Sequence, residues 1–217
     1  MAHNTSAVPE AAELTLDPAS TALLILHYQN DVVHPKGVLG ALYADRVKAA
    51  HNIEHSLAAI KASRDAGIRV IYVKASMSPG APEISDNPSP IAAGFKLSGG
   101  LMDGTWGSEI VDELKPEEDE GNVVMRNYST NAFLNTPLDQ VLRGHGITHV
   151  VIAGIATAHF VVLSTTLAAS DRGYFSIVLK DCCNDATDEM HNWVLNYILN
   201  DCSTISDSES YIRAIKG

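Results

Sequence analysis

Cysteine is scarce in this chain. Cys182, Cys183 and Cys202 are the only three in 217 residues, too few and too clustered to frame a disulfide-held fold. Basic residues are short as well: 15 Lys and Arg stand against 26 Asp and Glu, leaving a net charge of −11. Nucleic acid and anionic membrane surfaces both select basic patches, so neither is expected as a partner. No apolar run approaches the ~20 residues that a membrane span requires. The opening MAHNTSAVPEAAELTLDPAS has neither the basic n-region nor the apolar h-region of a secretory signal. A cytoplasmic protein is therefore expected, and the length suits one large α/β domain with a well-buried core.

What is present is a regular alternation. Residues 1–19 are polar and Pro-containing, and read as an arm or tail preceding a single domain over 20–217. ALLILH (Ala22–His27) is a buried strand, and YQNDVVHPKGVLG leaves it through a loop. Val47, Ala50, Ile53, Leu57 and Ile60 recur at helical spacing and predict one helix over Arg46–Ala66, stopped by Gly67. IRVIYVK, NVVMR, HVVIA and YFSIVLKD read as further strands, and a short last strand falls near Ser203–Ser206. TPLDQVLRGHG predicts a helix capped at Thr136, and DEMHNWVLNYIL one capped at Thr187 or Asp188. Glu109–Leu114 reads as a short helix and PEEDEG as a solvated turn. A helix–Gly–strand passage recurs in DAGIRVIYV, GHGITHVVIA and DRGYFSIVL. Such alternation predicts right-handed crossovers and a mostly parallel sheet covered on both faces.

Two stretches break the regularity. Ser76–Gly107 is rich in Pro and Gly with little periodicity, and is too long for an ordinary connection. Ile84, Ile91, Phe95, Leu97, Leu101 and Trp106 give it apolar anchors, so it is expected to be a lid or an arm packed on a partner subunit. In Thr148–Asp171, HVVIA runs through Gly154 into the bend IATAHF and then into VVLSTTLAASD, which suits a packed helix. A strand turning sharply into a helix sets the bend at the carboxyl edge of a sheet. There the helix N-terminus offers unpaired N–H groups and partial positive charge, and open α/β sheets bind small molecules. Gly154–Phe160 should form part of the floor of any active site, which assigns Ile155, Ala156, Thr157 and Phe160 to substrate contact.

Three segments in this order, LLILHYQNDVV, VVMRNYSTNAFLNTPLDQVLRGHGI and HVVIAGIATAHFVVLSTTLAASDRGYFSIVLKDCCND, resemble the isochorismatase-like cysteine hydrolase superfamily. The resemblance implies a three-layer α/β/α sandwich with a mostly parallel six-stranded sheet, a homodimer or homotetramer, and a small-molecule substrate. It also implies a non-proline cis peptide at Ile155–Ala156. The amidases of that superfamily use an aspartate, a lysine and a cysteine. The corresponding positions hold His27, then Arg126 or (in a competing alignment) Asn127, and Phe160. A phenyl ring cannot form a thioester, so covalent catalysis at that position is not available.

The candidate catalytic residues are therefore His27, Arg126 and His159. His27 ends the first strand, and an imidazole suits proton transfer near neutrality; its plainer reading is a histidine bonded into the loop. His159 lies beside a helix N-terminus, or else turns outward to a subunit interface. Arg126 can clamp a carboxylate or developing negative charge, or form a structural ion pair, for which Asp31 is the candidate. Gln29 and Asn30 can fix a substrate or the loop. Tyr28, Trp106, Tyr128 and Phe160 can line an aromatic pocket. No metal or other cofactor is expected, since VKASMSPGAPEIS lacks the histidine that metal-binding relatives carry after the second strand. Cys182 and Cys183 are expected to be small buried apolar residues. These features point to hydrolysis of an ether, imine or enol-type bond by general acid–base chemistry. The alternatives are an inactive family member that binds or scaffolds, or an isomerase or lyase using the same pocket.

Overall fold

TALLIL is buried at all six positions, as expected of a strand enclosed by neighbours on both edges and by helices on both faces. In the computed structural model, which describes residues 14–117 and 123–216, this strand is β1 (Thr21–Leu26). The others are β2 (Arg69–Ala75), β3 (Val123–Asn127), β4 (His149–Ile155), β5 (Phe175–Asn184) and β6 (Thr204–Ser206). They form one six-stranded sheet in the order β3-β2-β1-β4-β5-β6, and every pairing is parallel. The chain builds outward from β1 to β3, then returns to lay β4 against β1 and builds outward again. The reversal falls between β1 and β4, where Leu26 lies opposite Gly154.

The helices are α1 (Asn30–Val33), α2 (Gly40–Ala49), α3 (Asn52–Asp65), α4 (Pro90–Ser98), α5 (Leu138–Gly144), α6 (Val161–Asp171), α7 (Asp188–Tyr197) and α8 (Ser208–Lys216). Leu23 and Ile25 share one core with Tyr43, Val47, Ile60 and Tyr211, from α2, α3 and α8. Leu24 and Leu26 share another with Leu142, Val162, Ala169 and Leu195, from α5, α6 and α7. The period-2 alternation of β1 thus feeds both faces, and the result is a three-layer α/β/α sandwich. The described part of the arm is ordered: Leu16 is buried and its N–H donates to the Ala214 carbonyl at 3.2 Å. Residues 1–13 and most of PEEDEG lie outside the described residues.

Three local expectations need correction. The helix expected over Arg46–Ala66 is two, because the chain breaks at His51, whose φ is 53°; the apolar spacing runs across this break and hides it. The Ser76–Gly107 segment contains helix α4, opened by Pro90 and closed by Gly99 at φ 66°. Of its expected anchors, Ile84 and Leu101 are buried, whereas Leu97 is 88% exposed and Trp106 is 52% exposed. Helix α5 begins at Leu138 with Pro137 at the cap position, and Thr136 Oγ1 accepts from the Leu138 N–H at 3.3 Å.

Candidate active site

Gly154 allows the two central strands to close up: a Cβ there would meet Leu26 Cβ at 2.7 Å. The residues following β1 and β4 consequently border one cavity of about 440 Å³ at the carboxyl edge, at the reversal of strand order. His27, which follows β1, has φ 55°. Its N–H is held by the Val73 carbonyl at 2.9 Å. The side chain is 5% exposed and lines the cavity, and Nε2 has no hydrogen-bond partner. Desolvation disfavours the imidazolium and pushes the His27 pKa down to about 4, so the ring is neutral at pH 7.

The bend after β4 is fixed by the end of β5. Ile155–Ala156 is a cis peptide. The Thr157 N–H and hydroxyl both donate to the Asn184 carbonyl, at 2.8 and 3.0 Å, and the hydroxyl also meets His191 Nδ1 at 2.8 Å. Phe160 then enters the left-handed region at φ 77° and caps α6, with half of its ring exposed. The first N–H groups of a helix have no intrahelical partner, and both Phe160 and Val161 line the cavity.

Asp185 is the residue that organises the bend. It has no solvent exposure. Its Oδ2 accepts from the N–H groups of Ala158 and His159, the latter at 2.9 Å. Its Oδ1 accepts from the Ala186 N–H at 2.7 Å and from His159 Nδ1 at 2.5 Å. A carboxylate so deep is tolerable only with its lone pairs filled. Because Nδ1–H is spent on Asp185, the other nitrogen, Nε2, is left as an acceptor. The ring lines the cavity and packs edge-on to Tyr43 with centroids 6.3 Å apart. Behind the pair, Arg46 Nε donates to the Asp185 carbonyl at 2.7 Å, and its guanidinium pairs with Asp188.

Helix α4 supplies Ile91, Ala92 and Phe95 to the cavity wall, and Ser129 and Thr130 come from the loop after β3. Of the expected site residues, His27, His159, Tyr128, Ile155, Ala156 and Phe160 all border the cavity. The others lie outside its lining. Arg126 forms an ion pair with Asp103 at 2.8 Å rather than with Asp31, while the alternative Asn127 is buried and donates to the Asn131 carbonyl. The Gln29 amide is used up by Ala75 and Ser108 backbone groups, and Asn30 Nδ2 donates to the Trp106 carbonyl. The buried Tyr28 hydroxyl donates to the Cys182 carbonyl at 2.9 Å. Trp106 packs edge-on to His34, and Thr157 holds the bend. Neither Asp185 nor Thr130 was a candidate from sequence. Asp185 ends DCCND, and its position directly after a strand was the available signal.

Cys182 and Cys183 are buried on opposite faces of the sheet. Burial pushes the thiol of Cys183 up to about 12 and that of Cys182 well above its usual value. Neither they nor Cys202 line the cavity. Among the described residues no three His, Cys, Asp or Glu side chains gather in a metal-ligating group, and no helix is long and apolar enough to cross a membrane.

A parallel sheet wound in both directions from its centre, with a cavity at the strand-order reversal, defines an open α/β protein, and it is at such reversals that sheets of this kind take up ligands. The chain belongs to the isochorismatase family: the model of the isochorismatase domain matches residues 21–210. Similar folds occur in a cysteine hydrolase from Pseudomonas syringae pv. phaseolicola, with TM-score 0.80, 21% identity, and coverage of 95% of this chain and 98% of that one. N-carbamoylsarcosine amidase from Thermoplasma acidophilum gives TM-score 0.69 and 26% identity over 88% and 97% of the two chains. Nicotinamidase PncA from Bacillus subtilis gives 0.70 and 23% over 87% and 100%.

Proposed function

We propose that this protein is a hydrolase of small organic molecules that works by general acid–base chemistry, without a cysteine nucleophile. The observation that carries the reading is the His159–Asp185 pair on the cavity wall. Asp185 fixes the tautomer and orientation of the ring and balances the imidazolium when it forms. His159 Nε2 takes a proton from a water molecule as that water adds to the electrophilic carbon of the substrate. The leaving group takes the same proton back as its bond breaks, so the ring ends as it began. Negative charge developing on the substrate faces the N-terminus of α6, whose dipole favours it; the Val162 and Leu163 N–H groups there are committed to the Ala156 and Thr157 carbonyls.

The neutral His27 is a hydrogen-bonding group for the substrate rather than an acid, since a pKa near 4 leaves roughly one ring in a thousand protonated at pH 7. Arg126 has no part in this mechanism, because its guanidinium is engaged by Asp103. The position that amidases of the family fill with cysteine corresponds to Phe160, and the three thiols lie elsewhere. A direct water route is therefore the one these residues equip. The test is a hydrolysis screen over esters, vinyl ethers, imines and amides, comparing wild type with His159→Gln. Turnover should fall by about 10²–10⁴-fold in the variant, with the fold retained by circular dichroism. Equal turnover in a folded His159→Gln protein removes the pair from the mechanism.

A further inference from the structure

We infer that the ligand of the β1–β4 cavity is an uncharged, mainly apolar molecule that offers one polar group to the two histidines. The inference takes its location from the proposed active site but does not need hydrolysis to occur there. Among the described residues, no Lys, Arg, Asp or Glu borders the cavity. The walls are aliphatic and aromatic, with Met77, Ile84, Phe95 and Leu101 joining the bend residues. The polar groups among them are neutral hydroxyls and the rings of His27 and His159.

The charges nearest this edge are already matched. Arg126 pairs with Asp103, Lys74 with Glu109 and Arg46 with Asp188. The Asp185 carboxylate has its lone pairs filled by four N–H donors. Asp31 Oδ2 accepts from the Leu101 N–H at 2.7 Å and its Oδ1 from the Val38 N–H at 3.3 Å. A carboxylate or ammonium entering the cavity would lose its hydration with no counter-charge to meet it, which is strongly unfavourable. An uncharged apolar body loses nothing of that kind and gains by leaving water. His27 borders the cavity, and its buried Nε2 has no hydrogen-bond partner within the protein.

The test uses three probes of nearly equal size and different charge, none with a bond this protein could hydrolyse: acetophenone, benzoate and benzylamine. Calorimetric titration of the wild-type protein at pH 8 should give acetophenone at least tenfold tighter than either ion. His27→Asn should weaken acetophenone several-fold. Ile91→Lys, at a half-covered position of the α4 wall, should reverse the order and favour benzoate. Tighter binding of benzoate or benzylamine to the wild type overturns the inference, as does failure of all three to bind at millimolar concentration. Either result leaves the His159→Gln comparison to decide hydrolysis separately.

Discussion

Two histidines share one cavity but are prepared differently. His159 is backed by a buried carboxylate, whereas His27 is desolvated and has an unpaired nitrogen. Their variants should therefore differ. Asp185→Asn keeps an oxygen for the Ala158 and His159 amides but turns an NH₂ toward His159 Nδ1. The ring then carries the wrong tautomer, and kcat should drop by at least ~10²-fold with KM little changed; steady-state kinetics on the two proteins read this directly. His27 carries a pH signature in stability instead. Its folded pKa of about 4 lies below the 6.5 of the free side chain, so between these values the unfolded chain binds more protons. Stability should fall as pH drops from 6.5 toward 4, by up to about 3 kcal/mol from this group, and level off below. His191, lowered by desolvation, acts in the same direction. Urea unfolding at pH 7 and 4.5 should show a shallower loss for His27→Asn, a residue that tolerates the φ of 55° at this position. An identical loss in both proteins would contradict the assignment.

At the scale of elements, the strands, the bend and the α6 helix were legible because burial on both faces writes continuous apolar runs, and Gly154 and Phe160 mark where the run turns. The two-helix form of Gly40–Asp65 was not legible, since His51 interrupts the backbone without interrupting the apolar spacing. Nor was the His159–Asp185 pair: helix α6 and strand β5 separate the two residues, and only the parallel β4–β5 pairing brings Gly154 opposite Cys183 and Ile155 opposite Asn184. The amides of Gln29 and Asn30 suit either a substrate or the loop, and the backbone of the Ser76–Gly107 segment and its flanks claims them. That segment is tied down through Asp31, against which Gly107 packs so closely that a Cβ would overlap the carboxylate. Gly107→Ala should cost about 1–3 kcal/mol and raise KM, because displacing Asp31 frees Leu101 on the cavity wall. Denaturant unfolding alongside steady-state kinetics checks both effects. Unchanged stability would mean that this tie is not needed.

Over the whole molecule, the order β3-β2-β1-β4-β5-β6 decides where chemistry can sit, since only β1 and β4 diverge into crossovers on opposite sides. The net charge of −11 sets a field that repels anions and attracts cations but leaves a neutral molecule unaffected. Turnover of an uncharged substrate should accordingly keep the same kcat/KM between about 0.05 and 0.5 M salt, a range over which exposed charges are increasingly screened. A steep salt dependence would point to a charged substrate. The central claim is that water, activated at His159, adds to the substrate with no intermediate on the chain. It is tested most directly by intact-mass spectrometry of protein quenched during steady turnover. The unmodified mass at every time point is the predicted result. A species heavier by the acyl part of the substrate, mapped to Cys182, Cys183 or Cys202, would contradict it.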